Sequence, residues 1–288
     1  MSFFASLILS AIAFLPLPQA AGPDPALRFA EAFMDAGLFD EAVTEYKRFI
    51  FFYSDSESAD VSLAYARMGF ALGYEKRWPA AWDALNKAVQ TARDERTRDE
   101  RRLSLAAAEL GGCSYAAAKF LLLKLETFSI FPEVRERAML YHAVTAVYEY
   151  DWEDVRLALA EYERSGNARG REEDIARAVA LVDEARRGGR KSPGLAKVLS
   201  TVLPGAGQAY CGHWLDGLNA LALNTLTGWL LVADIAAGPW DDVVFNSLFL
   251  FRRFYEGNRA NAERQAREFN DRVDKAFSEK ILNLIGRK

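Results

Sequence analysis

Apolar residues recur at helical spacing from about position 25 to position 162, and the pattern repeats along the chain. Four aromatic residues in this stretch are separated by 39, 37 and 37 residues. A small residue stands nine positions before each aromatic residue, and a second small apolar residue stands three positions after it. A period in the thirties is typical of stacked helical hairpins. The aromatic residues are Phe39, Trp78, Tyr115 and Trp152, the first column is Ala30, Gly69, Ala106 and Ala143, and the second is Ala42, Ala81, Ala118 and Val155.

Small residues at these eight positions would let the two helices of each hairpin approach closely, so we interpret them as repeat-packing residues. One hairpin cannot bury its own apolar face, and the hairpins are therefore expected to stack. The sequence predicts four repeats over residues 25–165, followed by a capping helix and linker over residues 166–189. The pair Gly188 and Gly189 marks the domain boundary.

The pattern changes at residues 190–257, where long apolar runs replace apolar residues at helical spacing. Pro193 can begin a short apolar helix, and the segment Pro204–Gly207 ends it. A longer apolar helix is expected from about Trp214 to Ala237, with a second apolar run at Val243–Phe251. Each run is marginal as a lone membrane span, so the pattern favours a closely packed, two-span membrane hairpin.

Residues 258–288 form an amphipathic tail, with one apolar stripe opposite a face of mixed charge. Three positions for this helix are possible: on a membrane, against the rest of the protein, or against a second copy. The stripe consists of Ala262, Ala266, Phe269, Val273, Phe277, Ile281 and Leu284.

The small-residue columns resemble the tetratricopeptide repeat, which has a small residue in its first helix and an alanine twelve positions later. The period here is longer than the usual 34 residues of that family. The closing proline of the family occurs only as Pro132. The resemblance implies a scaffold that binds a protein or peptide in a concave groove, but it assigns no ligand-contacting residue.

The segment K-S-P-G-L-A-K-V-L-S-T-V-L-P-G-A-G-Q-A-Y-C-G-H-W-L-D-G is similar to the signature of a small, two-span bacterial membrane domain, often joined to tetratricopeptide repeats. The later F-Y-E-G-N is similar to the closing pattern of that domain. The resemblance implies association with membrane lipid and no catalytic mechanism. Its motif positions are Pro193, Pro204, Gly205, Gly207, Gln208, Tyr210, Gly212, Gly217, Tyr255, Gly257 and Asn258.

Residues 1–22 contain an apolar run from Phe3 to Leu17, followed by prolines and small residues. Its length suits the apolar region of an export signal better than a membrane span. No Lys or Arg precedes the run, so an uncleaved apolar segment is the alternative.

The formal net charge of −4 gives no basic excess, and we expect no nucleic-acid partner. A local basic cluster at Arg186–Lys197 is of the kind expected beside anionic lipid headgroups. The motif Gly205-Ala206-Gly207 lacks the spacing of a phosphate loop, and the sequence predicts no cofactor or metal site.

Other candidate chemical groups favour structural roles. Cys211 and His213 are alternate residues without an evident third partner, His142 falls in the first helix of the fourth repeat, and Asp241 and Asp242 are adjacent. We expect no enzymatic activity.

The fold class expected from the sequence is all-α: a helix-hairpin solenoid, a short membrane-associated helical hairpin and an amphipathic C-terminal helix. The expected function is a membrane-anchored protein-interaction scaffold. The alternative is a structural or assembly subunit of an envelope complex, with the hairpin and tail mediating homo-oligomerisation. Export would place the repeats in the periplasm beside the bacterial inner membrane, whereas the basic cluster would favour the cytoplasmic side.

Overall fold

A computed structural model describes residues 27–54, 60–166, 170–237, 244 and 246–286. These residues are almost entirely helical and contain no β-strand, which confirms the all-α prediction. The expected signal segment at residues 1–22 lies outside the described residues, as do Trp240, Asp241 and Asp242.

Within the described residues, eight helices form the repeat region, and each packs against the next along the chain, as in a helical-repeat solenoid. This packing confirms the coarse repeat prediction. The helices are α1 Arg28–Asp35, α2 Phe39–Tyr53, α3 Val61–Tyr74, α4 Trp78–Thr91, α5 Glu95–Gly111, α6 Tyr115–Phe128, α7 Pro132–Glu149 and α8 Trp152–Arg164.

The later helices differ in length and composition from the repeats. A π-helical turn at Asn246–Phe251 leads directly into the last helix. The helices are α9 Glu172–Arg187, α10 Pro193–Val202, α11 Ala206–Tyr210, α12 Trp214–Ala237 and α13 Arg252–Ile285.

The eight residues of the two small columns are all buried. At Gly69 the need for a small residue is steric, because a Cβ atom there would lie 2.6 Å from Leu85 Cγ and 3.2 Å from the Ala81 carbonyl oxygen. Helices α3 and α4 therefore approach too closely at this point for any larger residue.

The turn between the two helices of each repeat has the same geometry in all four repeats. The residue two positions before each aromatic residue adopts a left-handed backbone: Gly37, Lys76, Cys113 and Tyr150, with φ between 57° and 72°. In each turn the next amide donates to the carbonyl five residues earlier, as Leu38 N does to Phe33 O at 2.8 Å. This is the Schellman motif, which satisfies the last carbonyls of the first helix.

The chain forms two compact units. The first comprises Met1–Arg186 and Lys280–Lys288, and the second comprises Arg187–Glu279. Helix α13 therefore belongs to the second unit up to Glu279 and to the first unit beyond it. Its apolar stripe is buried or half-buried throughout.

None of the helices in the described residues has both the length and the apolar content needed to cross a lipid bilayer. Polar residues such as Asn219 and Asn224 interrupt the apolar sequence of α12. The predicted two-span hairpin is therefore not supported by these helices. Part of its second segment falls at positions 243 and 245, outside the described residues.

The repeated turn predicts opposite effects of glycine at two neighbouring positions. Lys76→Gly should raise the free energy of unfolding by about 1 kcal/mol, because glycine adopts the left-handed backbone without the steric cost of a Cβ atom. Glu75→Gly should lower it, since Glu75 has φ −80° and gains nothing from glycine. Gly37→Ala should lower it by about 1 kcal/mol through backbone strain alone, because no atom lies within 4 Å of the added Cβ.

Urea unfolding of the repeat region, followed by circular dichroism, measures all three variants. A loss of stability in Lys76→Gly equal to that in Glu75→Gly would contradict the interpretation.

Candidate functional site: a buried polar network in the second unit

Helix α10 begins at Pro193, whose preceding residue caps it. The Ser192 hydroxyl accepts a hydrogen bond from the Leu195 amide at 3.2 Å. Pro193 occupies the first turn, where a missing N–H leaves no carbonyl unsatisfied. These two residues determine where the helix begins.

The carboxyl end of α10 is capped by side chains from α13. In a continuing helix the Ser200 carbonyl would accept from residue 204, but Pro204 has no N–H to donate. Asn258 Nδ2 donates to that carbonyl instead, at 2.9 Å. The Tyr255 hydroxyl donates to the neighbouring Thr201 carbonyl at 2.7 Å. The chain thus ends α10 with proline and satisfies its last carbonyls from a helix about fifty residues later.

Asn258 also binds the turn that follows α10. Its Oδ1 accepts from the Gly205 amide at 3.1 Å and from Gln208 Nε2 at 2.8 Å. The Ser200 hydroxyl accepts from the Gly207 amide at 3.0 Å and donates to Gln208 Oε1 at 2.9 Å. Ser200, Gln208 and Asn258 are each at most 4% exposed. We call these three side chains, with the backbone of Gly205 and Gly207, the polar network.

Two glycines of the network occupy positions that no other residue fits. A Cβ atom on Gly205 would lie 2.0 Å from the Gly217 carbonyl oxygen, and Gly205 has φ +91°. A Cβ atom on Gly207 would lie 2.1 Å from the Ala196 carbonyl oxygen and 2.7 Å from Ala262 Cβ. The backbones of α10, α11 and α12 therefore meet at close contact around the network.

A second set of contacts holds the segment that precedes α10. Tyr210 Oη accepts from the Ser192 amide at 3.2 Å, and Lys191 Nζ lies 4.5 Å from the centroid of the Tyr210 ring. The Asn270 side chain accepts from the Lys191 amide and donates to its carbonyl, at 2.8 and 2.9 Å. Arg190 pairs with Asp274 at 2.7 Å.

The structure brings together most of the motif residues selected from the sequence, but not all of them. Gly212 has φ +88° and forms the left-handed turn after α11, with open space around it. Gly257 also has open space around its Cα atom, so no contact explains it. Three further residues of these contacts, Ser200, Asn270 and Asp274, fall outside the motif positions. Of the three, only Ser200 is marked in the sequence, as a polar residue in an apolar helix.

Every side-chain donor and acceptor of the polar network is engaged within the protein, so the network leaves no group to activate a substrate. Within the described residues no cluster of His, Cys, Asp and Glu has the arrangement of a metal site. Cys211 is buried, and its Sγ lies 3.9 Å from the Ala262 carbonyl oxygen. The network is suited to holding backbone together rather than to chemistry.

Helix α12 buries polar residues and exposes large apolar ones, the reverse of a helix in a water-soluble domain. Its buried residues include Asn224 and Thr227, each 5% exposed. Their side chains donate to carbonyls one turn earlier, at Ala220 and Leu223. Large apolar side chains are exposed along its length, with Asn219 and Thr225 exposed among them: Leu215, Leu218, Leu226, Trp229, Val232 and Ile235, each more than half exposed.

Three residues of the basic cluster noted in the sequence, Arg186, Arg190 and Lys197, pair with acidic residues of the protein. Besides the Arg190 pair, Lys197 Nζ lies 3.0 Å from Glu263 Oε2. Lys197 and Arg267 lower the pKa of the Glu263 carboxyl group. Arg186 pairs with Glu153. The cluster is thus a weaker signal for anionic headgroups than the sequence indicates.

Comparison with known proteins identifies no matching family, curated protein or solved structure.

The network predicts that Asn258→Ala destabilises the second unit by about 3 kcal/mol, because it leaves the Ser200 carbonyl and the Gly205 amide without partners and removes one of the two acceptors of Gln208 Nε2. Asn261→Ala on the same helix is the matched control, since Asn261 is exposed. It should change stability by less than about 0.5 kcal/mol. The labelling rate of buried Cys211 by a thiol reagent, in a Cys113→Ser background, measures opening of this unit. Equal rates in the two variants would contradict the assigned role.

A pair of glycine variants tests the close backbone contact. Gly207→Ala should destabilise the second unit by about 3 kcal/mol, because the added Cβ atom overlaps the Ala196 carbonyl oxygen. Gly257→Ala should stabilise α13 by about 0.5 kcal/mol, because the site is open and alanine favours helix. The same Cys211 labelling assay compares them, and similar effects of the two alanines would be inconsistent with the packing.

Proposed function

We propose that this protein is a membrane-anchored scaffold, in which the unit Arg187–Glu279 holds the chain at a lipid bilayer and the helical repeats bind a protein or peptide partner. The observation that carries the proposal is the reversed polarity of α12. Asn224 and Thr227 face the interior, whereas Leu218, Leu226 and Trp229 face outward.

A surface of this composition is poorly suited to water. Full burial of one large apolar side chain is worth about 1.5–3 kcal/mol, so a row of exposed ones strongly favours an apolar surrounding. Helix α10 adds to the same surface chemistry, with Val198 57% exposed and Val202 82% exposed. A bilayer supplies this surrounding, and inward-facing small and polar residues are typical of helices packed in lipid.

Tryptophan side chains support a bilayer as the occupant of this surface. Trp214 and Trp229 are 69% and 65% exposed. The amphipathic indole ring favours the boundary between lipid headgroups and acyl chains. The proposal requires an apolar face embedded in lipid and does not require either helix to cross the bilayer.

The repeats offer an apolar surface for a protein partner. Phe120 on α6 is 59% exposed, and Phe128 and Ile130 near its end are each 76% exposed. Exposed patches of this kind mark sites of protein association. No catalysis is part of the proposal, and neither is a nucleic-acid partner or a cofactor. We also propose a location in the bacterial envelope with the repeats exported.

The alternative is a structural or assembly subunit of an envelope complex that oligomerises through its hairpin and tail. In the described part of α13 no large apolar side chain is exposed, and Phe269, Val273 and Phe277 are half-buried. This helix therefore offers little apolar surface for a second copy. The observation favours bilayer association through α10 and α12 over assembly through α13.

Flotation of the full chain with vesicles of phosphatidylcholine and phosphatidylglycerol tests membrane association. We expect the wild-type chain to float, and the triple variant Leu218→Gln, Leu226→Gln, Trp229→Gln to lose at least about tenfold in partitioning. The matched control replaces Phe120, Phe128 and Ile130 with glutamine, and it should float like the wild type because these residues lie in the first unit.

Equal flotation of both triple variants would contradict the proposal. If the wild-type chain does not float with vesicles and forms a discrete oligomer in detergent-free buffer, the result would favour the assembly subunit instead.

A further inference from the structure

A buried histidine lies between two carboxylates in the repeat region. His142 on α7 is 6% exposed. Its Nδ1 atom lies 3.1 Å from Glu126 Oε1 on α6, and its Nε2 atom lies 3.2 Å from Asp154 Oδ2 on α8. One imidazole ring thus contacts the helix before it and the helix after it. It joins the third repeat to the fourth.

The number of hydrogens on the ring decides whether both contacts are favourable. A neutral imidazole carries one N–H, and its second nitrogen is an acceptor. Ionised Glu126 and Asp154 can only accept hydrogen bonds. The neutral ring can therefore satisfy one carboxylate and must oppose a lone pair to the other, whereas the imidazolium ion donates to both.

The four groups that are paired at the ring balance in charge only when His142 is protonated. Glu126 on α6 and Asp154 on α8 contact the ring, and Lys119 on α6 pairs with Asp154. Lys119 Nζ lies 2.5 Å from Asp154 Oδ2. Two cations and two anions are present when His142 is protonated. Loss of the proton leaves one uncompensated negative charge in a site where Glu126 and Asp154 are at most 17% exposed.

The surroundings act on the pKa of His142 in opposite directions. Burial lowers it, whereas the hydrogen bonds and charges of Glu126 and Asp154 raise it. The net result is a pKa above the ordinary value of histidine. The hydrogen bond to Asp154 raises the pKa of Lys119, and the charges of Glu149 and Asp151 raise it further.

We propose that His142 is a pH-sensitive clamp, which holds α6, α7 and α8 together when protonated and loosens the joint between the third and fourth repeats when it loses its proton. The pH response of His142 does not depend on whether the protein associates with a membrane. A group whose folded pKa is raised stabilises the fold fully below its unfolded pKa, and that stabilisation is lost as pH rises through the folded pKa. The joint is therefore tight in mild acid and looser in mild alkali.

Histidine titration by NMR on the full chain in detergent micelles tests the first step. The chain has two histidines, and the His213→Asn variant assigns the His142 signal. We expect a His142 midpoint clearly above about 6.5. Glu126→Gln should lower that midpoint, because one carboxylate is removed. A midpoint at or below about 6.5 in the wild type would overturn the proposal.

Amide hydrogen exchange tests the second step. After correction for intrinsic rates, protection of α6–α8 in the wild type should fall by up to about tenfold per pH unit between the unfolded and folded pKa values. His142→Gln should show low protection that does not change with pH, and His213→Asn should behave like the wild type. Wild-type protection that is independent of pH, or a His142→Gln variant with the wild-type dependence, would overturn the proposal.

If His142→Gln does not fold, the wild-type NMR midpoint and its decrease in Glu126→Gln decide the question.

Discussion

The hydrogen bonds of one amide side chain, that of Asn258, organise the second unit. Its Nδ2 group completes the end of α10, and its Oδ1 atom holds the turn that leads into α11. Pro204 makes this necessary, because it removes the backbone donor that would otherwise satisfy Ser200. A buried carbonyl or amide without a partner is costly, so α10 can end here only if α13 lies against it. The proline that ends α10 and the position of α13 against that end therefore depend on each other.

The buried polar network and the apolar exterior of this unit have a common physical basis. Hydrogen bonds among Ser200, Gln208 and Asn258 hold the backbones together beside a small apolar cluster, which consists of Ala196, Cys211, Ala262 and Ala266. Close contact at Gly205 and Gly207 leaves little space for large side chains inside. The leucines and tryptophans of α12 consequently lie outside. In the repeats the arrangement is the usual one, with small and apolar columns buried.

The repeat region was largely predictable, because its regularity is local. A period in the thirties and two columns of small residues predicted helical hairpins, and successive helices pack against one another in this region. The left-handed turns were not predictable as a class. Only Gly37 is a glycine among the four, and Lys76, Cys113 and Tyr150 give no sign of a positive φ. The neighbouring helices impose that geometry through the hydrogen bonds of each turn.

The sequence by itself determined which segments are helical and where proline and glycine end them. Only the tertiary structure decided which atoms satisfy one another. Asn258 stands about fifty residues from its partners, and Glu126 and Asp154 lie on different helices from His142. Periodicity reports the face of a helix on which a residue lies. The partner of a buried polar group depends on how separate helices pack, because hydrogen bonds and ion pairs require atoms within about 3 Å.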